Sequence, residues 1–147
     1  TPGHLCNHVC YQYLDILFTG DHVMEWSTSV ISPPEGDVSQ FINSCKKINK
    51  LQCQKFYPGH GLPVENPNER IAKLIAHRKK REIEIHNFLI NKEATISQIT
   101  KNIYVDIDQK LLIGASRNVK AHLIDLIIKK QVKVDDISSD NAIFSLI

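Results

Sequence analysis

The stretch Ile16-Leu17-Phe18-Thr19-Gly20-Asp21-His22 decides how the first part of the chain is read. A compact apolar run bounded by turn signals suits a buried strand. Phe18 leads straight into Thr19-Gly20-Asp21-His22, so polar residues stand at a strand's C-terminal end, where α/β proteins often place their chemistry. The arrangement recurs at Lys55-Phe56-Tyr57, a short strand running into Pro58-Gly59-His60-Gly61. Upstream, Val9 to Tyr13 reads as another short strand, and Asp15 suits a tight connection to Ile16. The first residues, Thr1-Pro2-Gly3-His4, look like the inside of a motif rather than a protein's beginning, with no initiator Met and no charged leader.

Helices fill the space between these turns. Met24 to Gly36 reads as an irregular loop, because Ser32-Pro33-Pro34-Glu35-Gly36 can continue neither a helix nor a central strand. Asp37 is a candidate N-cap with Gln40 at N3. Val38, Phe41, Ile42, Cys45 and Ile48 follow at helical spacing, and Lys46, Lys47 and Lys50 load the last turns, where the helix dipole favours cations. Asn66-Pro67 with Glu69 is a second helix start. The stripe Ile71, Leu74, Ile75, Arg78, Ile85, Phe88 and Leu89 predicts one long helix to about Asn91. The cluster Arg78-Lys79-Lys80-Arg81 in its middle reads as a solvated face, since Glu82 and Glu84 follow closely.

The texture then changes. A short helix from Thr95 to about Tyr104, a turn at Asp106 to Gln109, and a longer helix over 111–131 with Leu112, Val119, Leu123, Leu126 and Ile127 inward are expected. Two short strands, Val132–Val134 and Ala142–Leu146, follow around a polar turn over 135–141. Three helices and a β-hairpin are the order of a winged helix-turn-helix. The fold class is therefore α/β (α+β), with residues 1–77 as one domain portion and 78–147 as a winged-helix domain.

Composition sets the bounds. The 147 residues carry 18 Lys and Arg against 16 Asp and Glu, a formal charge of +2 that is too even to imply a nucleic-acid or membrane surface. With 42% hydrophobic and 23% charged residues the chain is not a disordered polyelectrolyte, and it contains no run of the roughly 20 apolar residues a membrane helix needs. From Arg78 onward 12 basic residues face 9 acidic ones, a mild basic bias carried partly by Arg117, Lys120, Lys129 and Lys130. The acidic wing, Asp135 and Asp136 to Asp140, argues against phosphate contact there. The four cysteines form no Cys-x-x-Cys pair, which reads as reduced thiols in a cytoplasmic protein, acting as small core residues.

Three positions suit metal chemistry: His4, Asp21 and His60, each on a glycine-containing turn. Two imidazoles and a carboxylate suit zinc better than iron or manganese, and a carboxylate can bridge two ions. Their spacing, 17 and 39 residues, carries no helical or strand period. His8, His22 and Trp26 are candidates for supporting roles or for the substrate loop, with a structural His8 the plainer reading. Met24 can line the same mouth, Tyr57 is expected to face the core, and His77 and Arg78 to play a structural part. His86 and His122 read as helix-surface residues.

In order and spacing, Thr1-Pro2-Gly3-His4, Phe18-Thr19-Gly20-Asp21-His22 and Tyr57-Pro58-Gly59-His60-Gly61 resemble the later metal motifs of the metallo-β-lactamase-fold hydrolases, a superfamily that includes glyoxalase II. The segment Met24 to Asp37 and Ala76-His77-Arg78-x-x-Arg81-Glu82 are similar to a branch with a C-terminal winged helix, the lactamase-like endoribonucleases and related hydrolases. The resemblance implies that residues 1–77 are the second half of an αββα sandwich. It also implies that His4 ligates a first zinc, Asp21 bridges two, and His60 ligates the second. A metal-bound hydroxide would attack an ester, thioester or phosphodiester.

Two departures stand out. Leu5 follows the first ligand where the family usually has Thr, which loosens support of that turn. The family's His-x-His-x-Asp-His motif is absent from this sequence, and with it the larger share of the ligands. The expectation is a truncated or split chain, inactive by itself, with an incomplete zinc site. A half-sandwich of 77 residues buries only about 60% of its surface. It would thus depend on an upstream N-terminal half or on self-association. The alternatives are a winged-helix nucleic-acid-binding module, with RNA or DNA as the candidate partner, and a non-functional remnant. Neither reading involves a membrane.

Overall fold

A computed structural model describes residues 1–139 and 141–147. The chain divides into two compact units, Thr1–Arg78 and Lys79–Ile147. In the first, β1 (Tyr11–Tyr13), β2 (Ile16–Gly20) and β3 (Lys55–Pro58) form one sheet in the order β1-β2-β3, with β1 antiparallel and β3 parallel to β2. Helix α1 (Val38–Asn49) stands in the crossover between β2 and β3. Its N-cap is Asp37, whose carboxylate accepts from Gln40 N at 2.7 Å, and Val38, Phe41, Ser44, Cys45 and Ile48 are buried.

The strands follow a period of two rather than the uniform burial expected of them. Leu17 and Thr19 are buried together with Phe56, the register partner of Leu17. Tyr11, Phe18 and Tyr57 are in register on the opposite face. There Tyr11 is 70%, Tyr13 66% and Phe18 46% exposed. Tyr57 is thus not a core residue but half-buried, its ring 5.8 Å from that of Phe18; Phe56 holds the core position.

Helix α2 (Pro67–Phe88) begins in the first unit and ends in the second. Its basic cluster is not one solvated face. Arg78 is only 1% exposed because it occupies a position of the apolar stripe with Ile71, Leu74 and Ile85. Arg81 is half-buried, its guanidinium 4.4 Å from the Tyr104 ring and bonded to Glu84 at 2.6 Å, while Lys79 and Lys80 are exposed as expected.

The second unit contains α3 (Ile96–Ile103), a 3-10 turn at Gln109–Leu111, α4 (Leu112–Ile128), and the antiparallel pair β4 (Val132–Val134) and β5 (Phe144–Leu146). Ala94 exchanges both backbone hydrogen bonds with Phe144, extending the wing sheet by one bridge. The core joins Ile85, Leu89, Ile99, Val119, Leu123, Leu126, Val132 and Phe144. His122 is not a surface residue. It is 1% exposed, since it shares a helical face with Ala115, Val119 and Leu126. Asp125 is likewise buried and bonds Lys129 at 2.7 Å.

Of the cysteines, Cys45 and Cys53 are buried as expected, but Cys6 is exposed because it lies on the turn after His4, and Cys10 is half-buried. Asp135 and Asp136 are exposed; Asp140 of the expected wing lies outside the described residues. Among the described residues no helix is long and apolar enough to cross a membrane.

Helix α3 starts on a reciprocal cap: Gln98 N donates to Thr95 Oγ1 at 3.3 Å and Thr95 N donates to Gln98 Oε1 at 2.9 Å. Thr95→Ala is expected to destabilise the second unit by about 1 kcal/mol. Urea denaturation followed through the amide signals of α3 and α4 measures it.

Candidate metal centre

The site is built from three turns. The first holds His4. Gly3 adopts φ 138°, and a Cβ there would run into the backbone of Phe41, so the turn lies directly on α1. Asp37 N donates to Gly3 O at 2.9 Å and Ser44 Oγ to Pro2 O at 2.7 Å. His4 Nδ1 lies 2.7 Å from Val30 O. A carbonyl only accepts, so Nδ1 donates, and in the neutral ring the lone pair is then on Nε2. That tautomer suits a metal ligand. Leu5 does not leave this turn loose, since its carbonyl accepts from both Gly3 N and His8 N.

The second turn holds Asp21. It is fixed from inside by Thr19, whose hydroxyl donates to Val23 O at 2.7 Å and whose carbonyl accepts from His22 N at 3.1 Å. The buried Ser29 hydroxyl reaches Asp21 O and also lies 3.1 Å from His22 O. The third turn, with His60, is tied to the second by Gly59 N donating to Gly20 O at 2.9 Å. A Cβ on Gly59 would stand 2.8 Å from Asp21 Oδ1, so a side chain there would push the Asp21 carboxylate aside. His60 Nε2 then lies 3.5 Å from Asp21 Oδ1.

Between the turns runs a row of imidazoles. The His8 ring is 6.2 Å from His4 and 5.5 Å from His22. His8 is half-buried, with Nδ1 3.0 Å from Thr1 Oγ1; burial, then the neighbouring His4, lowers its pKa. His22 is fully buried against Phe41, ring centres 4.4 Å apart, with Nε2 3.7 Å from Cys45 Sγ. Burial first, then His8, holds its pKa down to about 3, so the ring is neutral at ordinary pH. The Trp26 indole is exposed and its edge lies over Gly61. Met24, by contrast, is buried.

The structure therefore brings Asp21 and His60 together, and His4 stands next to His8 at one end of the histidine row. Among the described residues no group of three or more His, Cys, Asp or Glu side chains is placed to hold a metal ion. A catalytic zinc takes three protein ligands plus water. The donors of this chain do not fit zinc without others. Reading the sequence for ligands missed Ser29 and Thr19, which hold the Asp21 turn, and the His8–His22 stacking. For His8 the interval of four from His4 was a signal; for Ser29 there was none. On α4, Arg117 and Lys120 are exposed, but so are the apolar Leu111 and Ile113 nearby in sequence.

Known proteins share this architecture. A domain family described as "Beta-lactamase associated winged helix domain" matches residues 95–139. A "Beta-lactamase-like protein 2 homolog" of Caenorhabditis elegans is 33% identical over 136 residues, covering 90% of this chain and 43% of the relative. An "Atrochrysone carboxyl ACP thioesterase" of Aspergillus fumigatus is 33% identical over 87 residues, covering 58% of this chain and 26% of that protein. The crystal structure of a metallo-β-lactamase family protein from Thermus thermophilus superposes with a TM-score of 0.84 at 20% identity, over 100% of this chain and 48% of that one. The chain spans less than half the length of these relatives. The resemblance drawn from the motifs, the α+β class and the winged helix are borne out.

The thiols near the site differ sharply. Burial raises the Cys45 pKa to about 12 and also raises that of Cys10, whereas Cys6 is exposed. Alkylation of the native chain at pH 8, read by peptide mass, is expected to modify Cys6 first and to reach Cys45 only after denaturation.

Proposed function

We propose that the protein to which this chain belongs is a hydrolase of the metallo-β-lactamase fold, cleaving an ester, thioester or phosphodiester. This chain has the fold of the later portion of such proteins and carries their winged helix. In the proposed site, His4, Asp21 and His60 serve a two-zinc centre whose remaining ligands come from outside the 147 residues. The observation that carries the proposal is the convergence of Asp21 Oδ1 and His60 Nε2 to 3.5 Å from turns at the ends of two parallel strands. The fixed tautomer of His4 supports it. A relative named as a thioesterase favours the thioester within the substrate range.

The sheet supports the same reading. Tyr11, Tyr13 and Phe18 form an exposed aromatic face. Covering one such side chain is worth about 1.5–3 kcal/mol. We take its partner to be a second sheet layer, supplied by an upstream half of the same protein.

The purified 147-residue chain is expected to hold less than one zinc and to hydrolyse none of the three bond types. The complete protein is expected to hold two zincs by elemental analysis and to turn over. Asp21→Ala in it should lower kcat/KM about 100-fold or more. Stoichiometric zinc and turnover in the chain alone, or a complete protein without zinc or hydrolysis, would overturn the proposal.

A further inference from the structure

Arg78 is among the largest fully buried side chains. Taking a guanidinium out of water is costly and is tolerated where the cation is held by hydrogen bonds and polarisable neighbours. Here Nη2 donates to the backbone carbonyl of Ser29, and the guanidinium carbon lies 5.0 Å from the centre of the Phe41 ring. Both contacts lead to one place. The Ser29 hydroxyl touches Asp21 O and His22 O, and the other ring neighbour of Phe41 is His22, at 4.4 Å.

We infer that Arg78 and Ser29 form a positioning relay for the Asp21 turn. Hydrogen-bond capacity is what makes it a relay. A serine hydroxyl has one proton, so between two carbonyls it is shared, and its direction is set by where the Ser29 backbone sits. Arg78 clamps that backbone by its own carbonyl. The second route, guanidinium to Phe41 to His22, braces the neighbouring residue by packing. Asp21 is thereby held from beneath while its carboxylate stays partly exposed toward His60. Arg78 and Ser29 act on Asp21 through the main chain. The relay rests on the reading of Asp21 as a metal ligand only for its consequence, not for its existence.

The sequence supplies a direct probe. Asp-His occurs once in the chain, so [1-13C]Asp with [15N]His gives a single carbonyl–amide signal, that of Asp21. Loss of a hydrogen bond moves a carbonyl carbon upfield. Ser29→Ala is expected to shift the Asp21 signal upfield. Arg78→Lys, which keeps the charge but loses the fork, should shift it the same way. The double variant should shift it no further than the larger single change. An unmoved signal in Ser29→Ala, or in a folded Arg78→Lys, overturns the relay. In the unaltered chain the Arg78 side-chain N–H groups should exchange about tenfold or more slower than those of exposed Arg117; equal rates would overturn it even if Arg78→Lys fails to fold. In the complete protein both variants should weaken zinc binding about 10- to 100-fold. A complete protein that binds no zinc would overturn the proposed function, and the carbonyl signal would still decide the relay.

Discussion

The hydrogen bond from Gly59 N to Gly20 O extends the parallel pairing of β2 with β3 one step past the last side chains of the ladder. Parallel strands must be joined by a crossover, and here the crossover carries α1 together with the Met24–Asp37 loop. That single requirement places three segments side by side. The ends of β2 and β3 present Asp21 and His60, and the crossover presents Val30 and Phe41 to the His4 turn. A register shift between Phe18 and Gly20 lets the chain leave the sheet just before Asp21. The short reach across Gly59 then sets the Asp21 carboxylate directly against the third turn.

Much of this was legible in the sequence, and the reasons differ by feature. The Asp37 cap, the Asn66-Pro67 helix start and the helix–helix–helix–hairpin order are local signals, and local signals survive into the structure. The three site turns were legible because glycine beside a histidine or an aspartate marks a backbone that comes close to something. Burial was less legible. Tyr57 and Phe56 are adjacent, and only the pairing register decides which one faces inward. His122 and Arg78 carry polar labels at apolar-stripe positions, where the helical period outweighs residue type. Ser29 sits in an irregular loop, whose hydrogen bonds depend on contacts far away in sequence.

The two units differ in how they satisfy their surfaces. The second closes around its own core, with Ala94 completing the wing sheet and Lys129 bridging Glu82 and Asp125 at 2.8 and 2.7 Å. The first buries Leu17, Thr19 and Phe56 on one sheet face and leaves Tyr11, Tyr13 and Phe18 on the other. Antiparallel sheets tolerate a wet face when it is polar, but the β2–β3 pair is parallel, and parallel sheets are normally covered on both faces. Tyr11, Tyr13 and Phe18 thus leave aromatic rings open on a sheet of the kind usually covered on both faces.

Two unrelated observations thus point the same way. The donor set is short: Asp21 and His60 meet, but no third donor among the described residues joins them. The sheet is short as well, covered on one face only. A metal centre lacking ligands could be explained by loss of chemistry alone, and an uncovered sheet by self-association alone. The additional layer proposed above, bringing both ligands and an apolar face, would account for the two together. It also agrees with relatives more than twice as long as this chain, such as the Caenorhabditis elegans protein of which it covers 43%. The turns are meanwhile fully braced from within, by Thr19, Ser29, Ser44 and the Val30 carbonyl. Preorganised turns without a complete donor set are what a contributing half of a site requires, since ligands held in advance leave less entropy to be lost when the remainder binds.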